Sequence, residues 1–123
     1  MFINISNHPS GRFDAAQLAA ASELGNGQVH DLPFPNVPPE ASPEEVRALA
    51  LDLVSRVPSE ARVAMVQGEF SLFLEVVPRL QERGVQIVVA TSERDVVEGP
   101  DGQKVVRFRF CQFRTLPRVR LAE

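Results

Sequence analysis

Apolar and polar positions follow two periods along this chain, and the switches between them outline its elements. Met1-Phe-Ile-Asn-Ile5 is a short apolar run suited to a buried strand, cut by the turn-rich Ser6-Asn-His-Pro-Ser-Gly11. Asp14 to Leu24 is an alanine-rich helix that Gly25 ends, at a position suited to a left-handed cap. Gln28-Val-His-Asp-Leu32 reads as a second strand. Pro33, Pro35, Pro38, Pro39 and Pro43 then exclude helix and central strand, so the chain crosses in an extended connection. That connection closes on Ser42-Pro-Glu-Glu45, a capping box with proline at the first helical position. Behind it Val46, Leu49, Ala50, Leu53, Val54 and Val57 recur at helical spacing.

Ala61 to Val66 is a third strand, with Gln67-Gly-Glu69 as its exit. Phe70, Phe73, Leu74, Val77 and Leu80 form a helical stripe in which Pro78 predicts a kink or a displaced start. Val85 to Ala90 is a continuous apolar run, as in a central parallel strand, and Thr91-Ser-Glu-Arg94 is expected to end it. Asp95 to Glu98, the turn Gly99-Pro-Asp-Gly102, and Lys104 to Phe113 read as an antiparallel hairpin. The order predicts an α/β fold: a three-layer, Rossmann-like parallel sheet in the order 2-1-3-4, with the C-terminal hairpin extending its far edge.

The length of 123 residues suits one domain over 1–123, with hairpin and basic tail at 95–123. A single cysteine, Cys111, excludes an internal disulfide and a cysteine-rich zinc site. The opening residues carry neither a basic region nor a long apolar stretch, so no signal peptide or membrane span is expected and the location expected is cytoplasmic. The net charge of −3 argues against general DNA binding, yet it is unevenly placed. Residues 1–103 hold seven bases and fifteen acids, whereas Lys104, Arg107, Arg109, Arg114, Arg118 and Arg120 follow with no acid among them. The partner question narrows to an anion held locally, or an acidic surface met by one edge.

Ligands of open parallel sheets sit beyond the carboxyl ends of the strands, where strand order reverses. The loops expected there are Ser6–Gly11 and Gln67–Phe70, flanked by Asp31–Phe34 and Thr91–Arg94. Ser6, Asn7 and Ser10, with Gln67, Gly68, Thr91, Ser92 and Arg94, are the candidate ligand-binding residues. The first loop precedes a helix whose N-terminus can accept an anion. Its glycine spacing matches neither a dinucleotide fingerprint nor a phosphate loop, and Asn7 and Ser10 equally suit a turn bonded to its own backbone. His8 and Glu69 are the candidate catalytic groups: His8 as base or phosphate donor, Glu69 as base, nucleophile or ribose acceptor. The alternatives are a solvent-facing imidazole and a carboxylate stabilised by a helix dipole. Phe34 either stacks on a base or pins its loop to the core. Two histidines without cysteines or spaced carboxylates predict no metal site, and no cofactor is implied.

Arg107-Phe-Arg-Phe-Cys-Gln-Phe-Arg114 alternates arginine and phenylalanine, as in a strand with one basic and one apolar face. It reads as an edge strand whose arginines discourage aggregation while its phenylalanines complete the core, as a basic rim for an anion, or as a strand pairing across a dimer. Phe113 falls out of phase, which predicts a bulge or an end of regular pairing near Cys111.

Met1-Phe-Ile-Asn-Ile-Ser-Asn-His-Pro-Ser10, Asp31-Leu-Pro-Phe-Pro35, Gln67-Gly-Glu-Phe70, Ala90-Thr-Ser-Glu-Arg94 and Phe108-Arg-Phe110 together resemble a family of small bacterial proteins of unassigned function. In size and layout the chain is more distantly similar to small stand-alone CRISPR-associated proteins with CARF-type domains, which bind and sometimes cleave cyclic oligoadenylates. That second resemblance implies a first ligand loop at Ser6, Asn7, His8 and Ser10, with Thr91, Ser92 and Arg94 opposite. The expected partner is an anionic small molecule or nucleotide, held by a homodimer. The competing expectations are a hydrolase acting on a phosphodiester or glycosidic bond through Glu69 or His8, and an interaction protein using its C-terminal segment.

Overall fold

A computed structural model describes residues 1–121. The elements are β1 (Phe2–Ile5), a 3-10 turn (Ser10–Arg12), α1 (Ala15–Leu24), β2 (Val29–Leu32), α2 (Pro43–Ser55), β3 (Val63–Val66), α3 (Phe70–Glu82), β4 (Gln86–Glu98) and β5 (Lys104–Thr115). They form a mixed α/β fold around one five-stranded sheet in the order β2-β1-β3-β4-β5. The first four strands run parallel and β5 runs antiparallel to β4. The expected order 2-1-3-4 and the added hairpin therefore hold.

Alternation along the strands divides the core. Ile3, Ile5, Ala64, Val66 and Ile87 point to the face that α2 and α3 cover, where they meet Leu53, Leu72, Val76 and Leu80. Phe2, Val63, Met65 and Val88 point to the opposite face, under Ala21 of α1 and Phe13. Both faces are buried along β1 and β3, which accounts for the unbroken apolar run of β3 and for a β1 that is apolar except at the buried Asn4. The capping box forms as expected: the Ser42 hydroxyl accepts from the Glu45 N–H while the Glu45 carboxylate reaches the Ser42 N–H. α3 runs through Pro78 rather than starting after it, and the Arg79 guanidinium donates to the Glu75 carbonyl beside the proline.

Three expectations are corrected. Gly25 caps α1 with φ −97°, not in the left-handed region, which Asn26 (φ 53°) and Gly27 (φ 86°) occupy instead. A Cβ on Gly25 would lie 2.2 Å from the Gln28 carbonyl oxygen and 2.7 Å from the Phe2 nitrogen, so the glycine serves a close approach. Thr91–Arg94 is not a loop. β4 continues through it to Glu98, because β5 pairs with it along its length and supplies the backbone partners that a loop would have found in water. The α1 N-terminus is not open to an anion either, since Asp14 caps it by accepting from the Gln17 N–H at 2.7 Å.

Of the two outcomes expected near Cys111, the bulge is the one present. Thr91 pairs with Gln112 and Ser92 with Phe110, which leaves Cys111 as the extra residue. The shift returns Phe113 to the phenylalanine side, where its ring lies 5.1 Å from Phe2 and 4.9 Å from Phe110.

Candidate functional site

Asn4 explains the shape of the first loop. It is a polar residue in the middle of β1, 1% exposed. Its amide donates to the His8 carbonyl at 2.8 Å and to Asp31 Oδ1 at 3.0 Å, while its oxygen accepts from the Ser6 hydroxyl at 2.6 Å. Asp31, at the end of β2, also accepts from the Ser10 N–H and hydroxyl, and Ser6 Oγ accepts from the His8 N–H. A buried amide this well satisfied fixes a loop, because each lost partner would leave an unpaired group in the interior. Ser6 and Ser10 are thus engaged in building the loop, while Asn7 and His8 stay exposed at its tip. The His8 ring stacks on Phe13, 5.5 Å between centroids.

The loop forms one wall of a cleft of about 550 Å³ lined by His8, Arg12, Asp14, Gln17, Gln67, Ala90, Thr91, Ser92, Phe108 and Phe110. The second wall is the β4–β5 arm, which folds back so that the Phe110 N–H donates to Asp14 Oδ2 at 3.4 Å. Asp14 therefore caps α1 with one oxygen and holds the arm with the other. Among the candidates taken from the sequence, His8, Gln67, Thr91 and Ser92 line this cleft. The Thr91 hydroxyl donates to the Gln112 carbonyl and accepts from the Gln112 N–H, holding the bulge in place.

The other candidates lie elsewhere. Gly68 supports Phe34: a Cβ there would stand 2.3 Å from the Phe34 ring, which is buried in the core. Phe34 thus pins its loop, as one of its two readings held. Glu69 is the N-cap of α3, accepting from the Ser71 and Leu72 N–H groups at 2.9 Å and from the Ser71 hydroxyl at 2.6 Å. The Ser71 hydroxyl, followed by the two N–H groups, holds its carboxyl below the ordinary carboxylate range, which makes it a weaker base. Arg94 sits on the outer arm, paired with Phe108 across the strands and outside the cleft lining.

Arg12, Asp14, Gln17, Phe108 and Phe110 were not among the sequence candidates for this cleft. Only the arginine–phenylalanine alternation of β5 hinted at them. Phe108 departs from the reading in which the phenylalanines complete the core: its ring is 70% exposed. Among the described residues no helix is long and apolar enough to cross a membrane.

No curated protein and no solved structure matches the chain. A family model does match, across residues 1–114, which takes in the whole sheet but the last residue of β5, together with every residue of the cleft. The chain belongs to the uncharacterised MJ1673 family.

Proposed function

We propose that the cleft between the first loop and the β4–β5 arm binds a nucleotide or another phosphorylated small molecule. The observation that carries this reading is one arginine, Arg12, that shares the cleft lining with two phenylalanines, Phe108 and Phe110. A nucleobase offers a flat face that aromatic rings cover, and a phosphate takes the forked donors of arginine. Both oxygens of the neighbouring Asp14 accept backbone N–H groups, so the acid has structural work beside the cation. His8, Gln17, Gln67 and Ser92 add donors and acceptors suited to sugar hydroxyls and base edges. The volume falls within the roughly 300–1,000 Å³ usual for small-ligand sites. Cyclic oligoadenylates, the ligands of the CARF domains that the sequence distantly resembles, belong to this chemical class.

Thermal unfolding followed by circular dichroism, with adenosine mono- and triphosphate and cyclic oligoadenylates as ligands, tests the proposal. A ligand at about 100 times its Kd stabilises by about 2.7 kcal/mol. Arg12→Ala and Phe108→Ala should each weaken that response while leaving the unliganded protein folded. A flat response across the panel, or one unchanged in Arg12→Ala, overturns the reading.

A further inference from the structure

The β4–β5 ribbon outruns the rest of the sheet. β3 pairs with β4 only as far as Met65↔Val88, so beyond Ser92 no third strand pairs with the ribbon among the described residues. Six cross-strand pairs, Glu93↔Arg109 to Glu98↔Lys104, make up this outer part. A lone two-stranded ribbon is marginal in water, and this one exposes Val96, Val97, Val105, Val106 and Phe108. Alternation sorts its residues onto two faces. The face on the α1 side carries Arg94 with Phe108, Val96 with Val106, and Glu98 with Lys104. The other carries Glu93 with Arg109, Asp95 with Arg107, and Val97 with Val105.

The two faces differ in how their charges are answered. On the second, Arg109 lies 3.0 Å from Glu93 and 3.5 Å from Asp95, so that three of its four charges are paired and Arg107 alone forms no ion pair among the described residues. On the first, none of Arg94, Glu98 and Lys104 forms an ion pair among the described residues. Between those charges stand Val96, 57% exposed, and Val106, 41% exposed.

We infer that this first face is a self-association surface, covered by the same face of a second copy laid head to tail. Along the ribbon the pattern runs cation and ring, apolar pair, then acid and cation. Turned end for end about a two-fold axis at the Val96–Val106 level, it matches itself. Val96 then faces Val96, Val106 faces Val106, Arg94 faces the second copy's Glu98, and the Phe108 ring faces the second copy's Lys104. Head-to-tail order also places the two bodies, each with α1 on this side, at opposite ends of the stack. From Glu93 to Arg109 the chain holds four acids and four bases, so the ribbon neither repels its own copy nor suits a uniformly charged partner. The inference shares Phe108 with the ligand reading but rests on Arg94, Val96, Glu98, Lys104 and Val106, none of which lines the cleft.

Sedimentation velocity tests it first: the 13.6 kDa chain should sediment at twice its own mass, and Val96→Glu combined with Val106→Glu should sediment as a monomer with an unchanged far-UV spectrum. Arg94→Glu and Glu98→Arg should each weaken the dimer several-fold, and the two together should restore it, because they exchange the partners of one reciprocal pair. In a Cys111→Ser background, a short bismaleimide should join two copies of Val106→Cys but not two copies of Val105→Cys, which lies on the other face. A monomeric wild type overturns the inference. So does crosslinking at 105 equal to that at 106, a reading that needs no folded glutamate variant.

Discussion

Gly25→Ala is the sharpest test of how the fold is assembled, because the reason for the glycine is crowding and not backbone freedom. The added methyl would sit 2.2 Å from the Gln28 oxygen and 2.7 Å from the Phe2 nitrogen. Those two atoms are bonded to each other at 2.8 Å, the link that enters the β1–β2 pairing, and Gln28 in turn donates to the Gly25 carbonyl. The methyl would therefore wedge into a backbone hydrogen bond beside the fully buried Phe2. Overpacking of this kind costs about 1–3 kcal/mol. Leaving the Phe2 N–H unpaired adds about 1–3 kcal/mol. A combined loss near 3 kcal/mol lowers Tm by about 10 °C in a chain of this length.

The companion variant is Gly27→Ala. Gly27 has φ 86° and open space where a Cβ would go, so only backbone strain of about 1–2 kcal/mol applies. Urea titration followed by far-UV circular dichroism measures both, since the chain has eight phenylalanines but no tryptophan or tyrosine to report by fluorescence. Gly25→Ala should be the more destabilised of the two. A Gly25→Ala midpoint at or above that of Gly27→Ala would refute the reasoning.

Three further outcomes are expected. Asp14→Ala removes the α1 cap and the contact to Phe110, so it should cost about 1–2 kcal/mol and speed amide exchange in β5 around Phe110; an unchanged exchange rate there would mean that Asp14 does not hold the arm. Asp31→Ala frees the Ser10 N–H and one donor of the buried Asn4, so hydrogen exchange should rise across residues 6–10 although Asp31 does not line the cleft; equal protection in both proteins would contradict this. Glu69→Ala should lower Tm more at neutral pH than in strong acid. The folded carboxyl titrates below its unfolded value, so its contribution is complete above about pH 4.3 and lost as pH falls through the folded value; a gap in Tm that stays constant with pH would count against the cap.

The helices and inner strands were legible because each has one buried side and a period that declares it. α2 is the clearest case, with Ser42, Pro43 and Glu45 marking its start and Val46, Ala50 and Leu53 its buried stripe. The bulge at Cys111 was legible from phase alone, since Phe113 could reach Phe2 only if one residue were spared. Asp95–Glu98 was legible as a hairpin strand, but Thr91–Arg94 was not. Thr91-Ser-Glu-Arg94 has the composition of a loop, and its place in β4 rests on backbone pairing with β5 rather than on apolar side chains of its own. The cleft was half legible for a related reason. Its floor follows from strand ends, which the topology locates, but its far wall depends on Phe110 meeting Asp14 across 96 positions of chain. No local pattern encodes that meeting.

Polar residues gathered at a sheet's carboxyl end do two kinds of work, and their types do not tell the kinds apart. Asn4, Ser6, Ser10 and Asp31 satisfy one another and make the first loop rigid. His8 and Arg12 are carried on that frame and face the cleft. What separates the two groups is the hydrogen-bond ledger, which exists only in three dimensions. The same holds for the arm: Phe108 and Phe110 belong to the cleft because β5 is long enough to fold back over α1, and Asp14 holds it there. Cleft and arm are thus one device, with Asp14 as the joint. A variant that loosens that joint should weaken the nucleotide binding proposed for the cleft without altering Arg12, Phe108 or Phe110.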